Sequence, residues 1–289
     1  MEKKMNKPSI IANNGFTLIE LMIAMAISGF VMAGIYSTFD KQQHSYLVQD
    51  EVVAMQQNIR AGMYYMVSDI RMAGFNPDGI IPSPAITAAT NVSITFELDD
   101  GTNTNTVDLI TYSYNAGTRT LDRTVDDGGV VTTNPVAEEI EAVGFAYAYD
   151  DDEDGLIDTY DDAAGEEHII WAVPSGGNWF NLDVDNPAKD GKKDGVIDDN
   201  DSPTPGAAVT ETLPGTDTGD SVDPAQIKTV RISLLARTGR GDPKYANSFS
   251  YIVGDQKISP INDGNPNNDN CRHRLLTTTV LCRNMGGEL

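Results

Sequence analysis

Apolar residues run almost unbroken from Gly15 to Phe39, GFTLIELMIAMAISGFVMAGIYSTF, with a single carboxylate, Glu20, among them. At about 1.5 Å of rise per residue the stretch predicts a helix roughly 36 Å long, enough to cross a bilayer core. The pattern then changes without a break. Val48, Val52, Met55, Ile59, Met63, Met66, Ile70 and Ala73 recur at alternating steps of three and four, which is one stripe of an amphipathic helix. Gln49, Asp50, Gln56, Gln57, Asn58, Arg60, Ser68 and Asp69 fall on its other faces. No proline lies between Phe16 and Phe75, so any bend rests on Gly29 and Gly34, and Gly74 with Asn76-Pro77 ends the helix. The helix serves two solvents, lipid first and a folded domain second, and its methionines read as core.

From Asn91 the period becomes strand-like. Residues 91–98, 106–114 and 119–125 predict an antiparallel meander separated by Asp-Gly and Asn-Ala-Gly turns. Residues 139–149 and 168–173 continue the pattern, and 226–236, 248–253 and 275–282 supply closing strands. The expected fold class is α+β: a long N-terminal α-helix, membrane-spanning then amphipathic, packed on an antiparallel β-sheet that carries an acidic, loop-rich insertion.

Charge sharpens this picture. The net charge of −23 repels nucleic acid at long range, so general nucleic-acid binding is not expected. Lys3, Lys4 and Lys7 precede the apolar run and place that end in the cytoplasm, so everything after Phe39 is exported. An oxidising compartment favours a disulfide between Cys271 and Cys282, which would close a short loop for about 2 to 3 kcal/mol in the chain-entropy model; the alternative is two buried thiols. His44, His168 and His273 are scattered and offer no zinc spacing.

Most of the charge is local. Residues 150–223 hold 21 acidic and 3 basic side chains, −18 of the −23, in a Gly, Pro, Asp and Thr-rich segment. Within it Asp150, Asp152, Asp154, Leu156, Asp158 and Asp161 follow the ligand positions of an EF-hand loop, with Gly155 for the sharp turn and Ile157 as the aliphatic anchor. Leu156 would contribute its carbonyl. Asp161 stands where a glutamate is usual and is shorter, so the expected Ca2+ affinity is modest, as suffices outside the cell. A half-motif recurs as Asp194-Gly195-Val196-Ile197-Asp198 with Asp201, and Asp190 would open that weaker second loop, where Lys192 takes the third ligand position. One Ca2+, or two, is expected to order residues 150–201. No amphipathic helix flanks either loop, so no EF-hand switch is expected.

No Gly-x-Ser-x-Gly, no Gly-x-x-x-x-Gly-Lys and no paired catalytic constellation is present, so an enzyme is not expected. Arg240-Gly241-Asp242 reads as a turn that carries this tripeptide by chance.

The apolar run is too long for a signal peptide's core, and no A-x-A-like cleavage site follows it. Gly15-Phe16-Thr17-Leu18-Ile19-Glu20 resembles instead the processing site of type IV prepilins. The resemblance implies cleavage after Gly15 by prepilin peptidase and N-methylation of Phe16. It also implies that Glu20 pairs with the N-terminal amine of a neighbouring subunit, as suits an acid placed in hydrocarbon. Asp69-Ile70-Arg71-Met72-Ala73-Gly74-Phe75 and Arg274-Leu275-Leu276-Thr277-Thr278-Thr279-Val280 look like PilW-type minor pilins. Pseudopilins of type II secretion, of the J type, share the helix and part of the strand pattern.

The implied organisation is a leader (1–15), a transmembrane assembly helix (16–39), its amphipathic continuation (40–75), a β-domain in two parts (76–149 and 226–289), and the acidic insertion (150–225). The implied function is a minor pilin that primes or assembles a filament near its tip. The alternatives are a J-type pseudopilin and a calcium-dependent tip adhesin. Implied partners are other minor and major pilins, the peptidase and the inner membrane. A single-pass chain with a periplasmic C-terminal domain, also displayed on the pilus at the cell surface, is the expected location.

Overall fold

The computed structural model describes residues 16–81, 85–99, 107–162, 165–175, 177–183, 197, 210–212, 216–259 and 270–285. Contacts divide the chain into two units, Met1–Asp50 and Glu51–Leu289. Helix α1 (Leu18–Met72) contributes to both.

In the first unit every large apolar side chain from Phe16 to Phe39 is exposed, and no part of the most hydrophobic window is buried. A helix of this length and composition is able to cross a membrane. In the second unit one face of the same helix is buried through Met55, Ile59, Gly62, Met63, Met66 and Ile70, the stripe expected from the three-four spacing. Gly74 ends the helix with a positive φ of 75°, donating its N–H to the Glu97 carbonyl, while Asn284 caps the Ala73 carbonyl.

Among the described residues the strands form two principal antiparallel sheets, not one. β1 (Ile86–Ala89), β2 (Ser93–Leu98), β3 (Asp108–Asn115), β4 (Thr120–Asp127) and β5 (Val130–Ala137) make the first, in sequential order. β6 (Ile140–Tyr149) opens the second. Among the described residues β7 (Thr159–Asp161) and β8 (Glu167–Ile169) pair only with each other, and β9 (Ala172–Ser175) and β10 (Asn178–Asn181) rejoin the second sheet. β11 (Thr210–Thr212) pairs with β15 (Gln256–Ile258), β12 (Thr216–Ser221) edges the second sheet, and β13 (Ile227–Arg237) runs along β6. β14 (Tyr251–Val253) and β15 (Gln256–Ile258) form a hairpin, and β16 (His273–Leu281) closes the sheet against β13. The second sheet is therefore ordered β12-β10-β9-β6-β13-β16.

One core joins helix and sheets. Ile59, Met66 and Ile70 pack with Ile94, Phe96, Ile110 and Leu121 of the first sheet and with Val143, Phe145, Ile232 and Leu234 of the second. Two satellite clusters lie apart from it. One gathers Ala146, Ala148, Ile157, Trp171, Val173, Leu182 and Ile197; the other gathers Ala142, Leu235, Val253 and Ile258.

Polar contacts fix the helix on the first sheet. Asp69 accepts from the Tyr112 hydroxyl at 2.7 Å and from Arg123 Nε at 2.6 Å, so a half-buried carboxylate is matched by a cation and a phenol. Burial, then the Asp69 charge beside it, raises the Tyr112 pKa, keeping that phenol a donor. Asn58 clasps residue 138 reciprocally: its Nδ2 donates to the Glu138 carbonyl and its Oδ1 accepts the Glu138 N–H.

Candidate functional site: the helix start and the acidic loop

Gly15 lies outside the described residues, and Phe16 is exposed immediately after it. Thr17 Oγ1 accepts from the Glu20 N–H at 3.3 Å, and Glu20 Oε2 accepts from the Thr17 N–H at 2.8 Å and from its hydroxyl at 2.9 Å. This reciprocal pattern is a capping box, Thr-x-x-Glu, which satisfies two N–H groups at the helix start. Within the chain, then, Glu20 already has a partner. The Thr-x-x-Glu spacing is itself a sequence signal for such a cap, and the reading of these residues as a processing site passed over it.

The first acidic loop joins β6 to β7. Asp150 is 2% exposed, and carboxylate oxygens of Asp150, Asp152 and Asp158 lie within 4.8 Å of one another. The backbone builds this convergence. Gly155, at φ 91°, donates its N–H to Asp150 Oδ2 at 3.1 Å, the Asp151 N–H donates to Asp158 Oδ2 at 3.0 Å, and the Asp154 N–H donates to Asp152 Oδ1 at 3.2 Å. Ile157 anchors the loop in a satellite cluster, as its position predicted. The loop is also tied to the turn that leads into β13, because the Asp150 N–H donates to the Gln226 carbonyl and Gln226 Nε2 donates to Asp151 Oδ1 at 3.1 Å.

The charge balance in the loop is unfavourable as it stands. Lys228 Nζ stands 3.6 Å from Asp150 Oδ2, while Asp150 Oδ1 is buried with no hydrogen-bond partner. Burial, then the charges of Asp151, Asp152 and Asp150, hold the Asp158 carboxyl above its ordinary pKa, against a lowering by the Asp151 N–H. An orphaned buried oxygen beside converging carboxylates fits a hard divalent cation, which binds through oxygen.

The remaining expected ligands are placed differently. Asp154 Oδ1 accepts the Leu156 N–H at 2.8 Å, an Asx turn, though Asp154 still lines a cavity of about 620 Å³ with Asp152 and Asp158. Asp161 is exposed in β7, in register with Glu167. Glu167 lines the cavity instead, held by the Thr159 hydroxyl at 2.7 Å. The loop pattern gave no signal for Glu167, because a strand pairing brings it there. Asp190, Asp194, Asp198 and Asp201 of the second loop lie outside the described residues.

The disulfide expectation is corrected. Cys271 and Cys282 are both buried and are not bonded to each other. They flank β16, whose nine residues at about 3.3 Å each hold the ends roughly 30 Å apart, far beyond disulfide reach. Burial pushes the Cys282 thiol up to about 12. In Arg240-Gly241-Asp242 the aspartate is 9% exposed and takes Arg272 Nη2 at 3.2 Å, while Arg240 faces Glu51 at 3.7 Å, so the tripeptide is part of a turn.

Residues 11–36 match the family model described as the prokaryotic N-terminal methylation motif, and residues 199–284 match the model described as type IV pilus-assembly protein W. A type IV-like pilin from Thermus thermophilus is similar in structure with a TM-score of 0.39 and 13% identity, over 80% of this chain and 97% of that one. No curated protein matches significantly.

Proposed function

We propose that this chain, a type IV pilin-like minor pilin with an N-terminal methylation motif, is cut after Gly15 by prepilin peptidase and primes filament assembly from a position near the tip. One observation carries the reading: the helix face from Phe16 to Phe39 is apolar and bare in the single chain. Such a surface needs lipid or neighbouring apolar helices over it, and a pilin passes from the first to the second as it leaves the inner membrane. Thr17 holds Glu20 at the first turn with lone pairs to spare, where a neighbour's Phe16 ammonium would fix axial register in a low dielectric. Pilin-family segments are structural, and no catalytic step is assigned to this chain.

Mass spectrometry of sheared surface filaments tests this directly. The expected result is the chain beginning at N-methylated Phe16. A chain retaining residues 1–15 in filaments, or Glu20→Leu entering filaments as well as wild type, overturns the proposal. Deletion should abolish pili. Pili that remain but no longer attach point to an adhesin, and lost protein secretion with intact pili points to a pseudopilin.

The orphaned Asp150 oxygen supports a second element of the reading, a Ca2+ held by Asp150, Asp152 and Asp158 with Asp154 and Glu167 on the cavity wall. The ion would neutralise the cluster and order the exported lobe. Asp158, raised by burial, penalises the folded state when ionised, so without Ca2+ the penalty is present at neutral pH. It is relieved as pH falls through the raised folded value toward the ordinary one. Millimolar Ca2+ should therefore raise the melting temperature at pH 7 and lose that effect as the pH falls through the raised Asp158 value, because a protonated carboxyl no longer holds the ion. Equal melting in chelator and Ca2+ at pH 7 removes the ion from the account.

A further inference from the structure

The second sheet has faces of opposite character. On β6, Val143, Phe145, Tyr147 and Tyr149 fill the main core, whereas Ala142, Gly144, Ala146 and Ala148 point the other way. A Cβ at Gly144 would lie 2.4 Å from the Gly254 backbone nitrogen, so the β14–β15 turn already occupies that position. At Ala146 the space stays open. The register places Arg231 beside Ala146 and Ser233 beside both Gly144 and Thr277. Between the two satellite clusters a cavity of about 340 Å³ results, lined by Arg231, by the hydroxyl residues Ser233, Ser250 and Thr277, and by Ile252 and Leu275.

Arg231 is half-buried, with its guanidinium 5.8 Å from the centre of the Trp171 ring. Burial holds its pKa below the ordinary arginine value, and among the described residues no carboxylate pairs with it to offset that cost. In a chain of 43 acidic and 20 basic residues, a half-buried arginine with no acid paired to it among the described residues stands out. Ser233 and Thr277 share one hydrogen bond at 3.2 Å, and Ser250 meets Ser259 at 3.3 Å, which leaves each hydroxyl further capacity.

We propose that this cavity binds a sugar bearing a carboxylate, of the uronate class, with the Arg231 guanidinium taking the carboxylate and Ser233, Ser250 and Thr277 exchanging hydrogen bonds with the ring hydroxyls. A planar guanidinium matches a carboxylate through two parallel bonds. Ile252 and Leu275 cover the C–H face of the ring, and the volume suits a small ligand. The site lies on the face of the sheet opposite the main core and is independent of the filament reading.

The test is titration of the full chain in detergent with D-glucuronate at low ionic strength, followed by calorimetry and by the tryptophan emission that Trp171 contributes. Saturable binding is expected, with D-glucose and acetate each at least about tenfold weaker. Arg231→Gln should weaken glucuronate binding about tenfold or more, and Arg231→Lys by less, because the charge stays while the fork is lost. Should Arg231→Gln not fold, Ser250→Ala at an exposed position carries the test, with a severalfold loss and an unchanged melting temperature. Absence of saturable glucuronate binding overturns the proposal. So does glucose or acetate binding as tightly as glucuronate, or a folded Arg231→Gln that binds as wild type does.

Discussion

The two parts of α1 share a backbone geometry and differ in what surrounds them. Up to Phe39 the side chains are large, apolar and uncovered, and the polar contacts are local, within a turn or two. From Glu51 onward the apolar residues shrink to a stripe, the stripe is buried, and Asn58 and Asp69 reach partners 80 and 54 residues away. The first part leaves its apolar surface uncovered, whereas the second packs its apolar stripe into its own domain. Stability of the single chain should therefore depend on one part and assembly on the other.

The largest expected effect comes from the core stripe. Ile70→Ala, at a fully buried position, should cost about 2 to 5 kcal/mol in chemical denaturation, while Ile27→Ala in the exposed part should leave the midpoint unchanged and reduce incorporation into filaments. Equal midpoints for the two variants would erase the distinction. Next is Asp69→Ala, which strands Arg123 and Tyr112 in a partly buried site and should cost about 2 to 3 kcal/mol. Asp69→Asn should recover part of that, since the amide oxygen still accepts.

Glycines sharpen the contrast further. A Cβ on Gly62 would meet the Ala137 Cβ at 2.8 Å, so Gly62→Ala should lose about 1 to 3 kcal/mol through separation of helix and β5. Gly29 and Gly34 face open space, and Gly29→Ala should stiffen the helix by up to about 1 kcal/mol, visible as slower amide exchange there. The smallest change is Thr17→Ala, which removes the cap for about 1 kcal/mol. It should fray only the first turn in exchange measurements and leave the midpoint of the domain alone.

Much of this was legible because it is local. The three-four spacing from Val48 to Ala73 named the buried face of the helix, and the Asp-x-Asp-x-Asp-Gly-x-Ile-Asp run named the converging Asp150, Asp152 and Asp158 and the turn at Gly155. Strand periodicity found β2, β3, β4, β6, β13 and β16 but passed over the long β5 and the shorter β1, β7, β10, β11, β12 and β15. The β5 residues 130–134 are exposed on both faces, so no alternation marks them. Glu167 escaped notice because its place opposite Asp161 depends on a hairpin register. Two cysteines eleven residues apart looked close along the chain, and an extended strand held them apart.

The sequence alone determined where the helix begins and ends, which of its faces seeks burial, where the acidic loop turns, and the N-terminal methylation motif at the start of the helix. Each is a matter of period or of short spacing along one backbone. Only the tertiary structure decided that the described strands divide into two principal sheets and two small ones, that Glu167 joins the acidic cavity, and that Arg231 faces an open space beside Ala146. Those outcomes follow from strand register, in which a shift of one residue reverses every side chain, and register is set between distant segments rather than within any one of them.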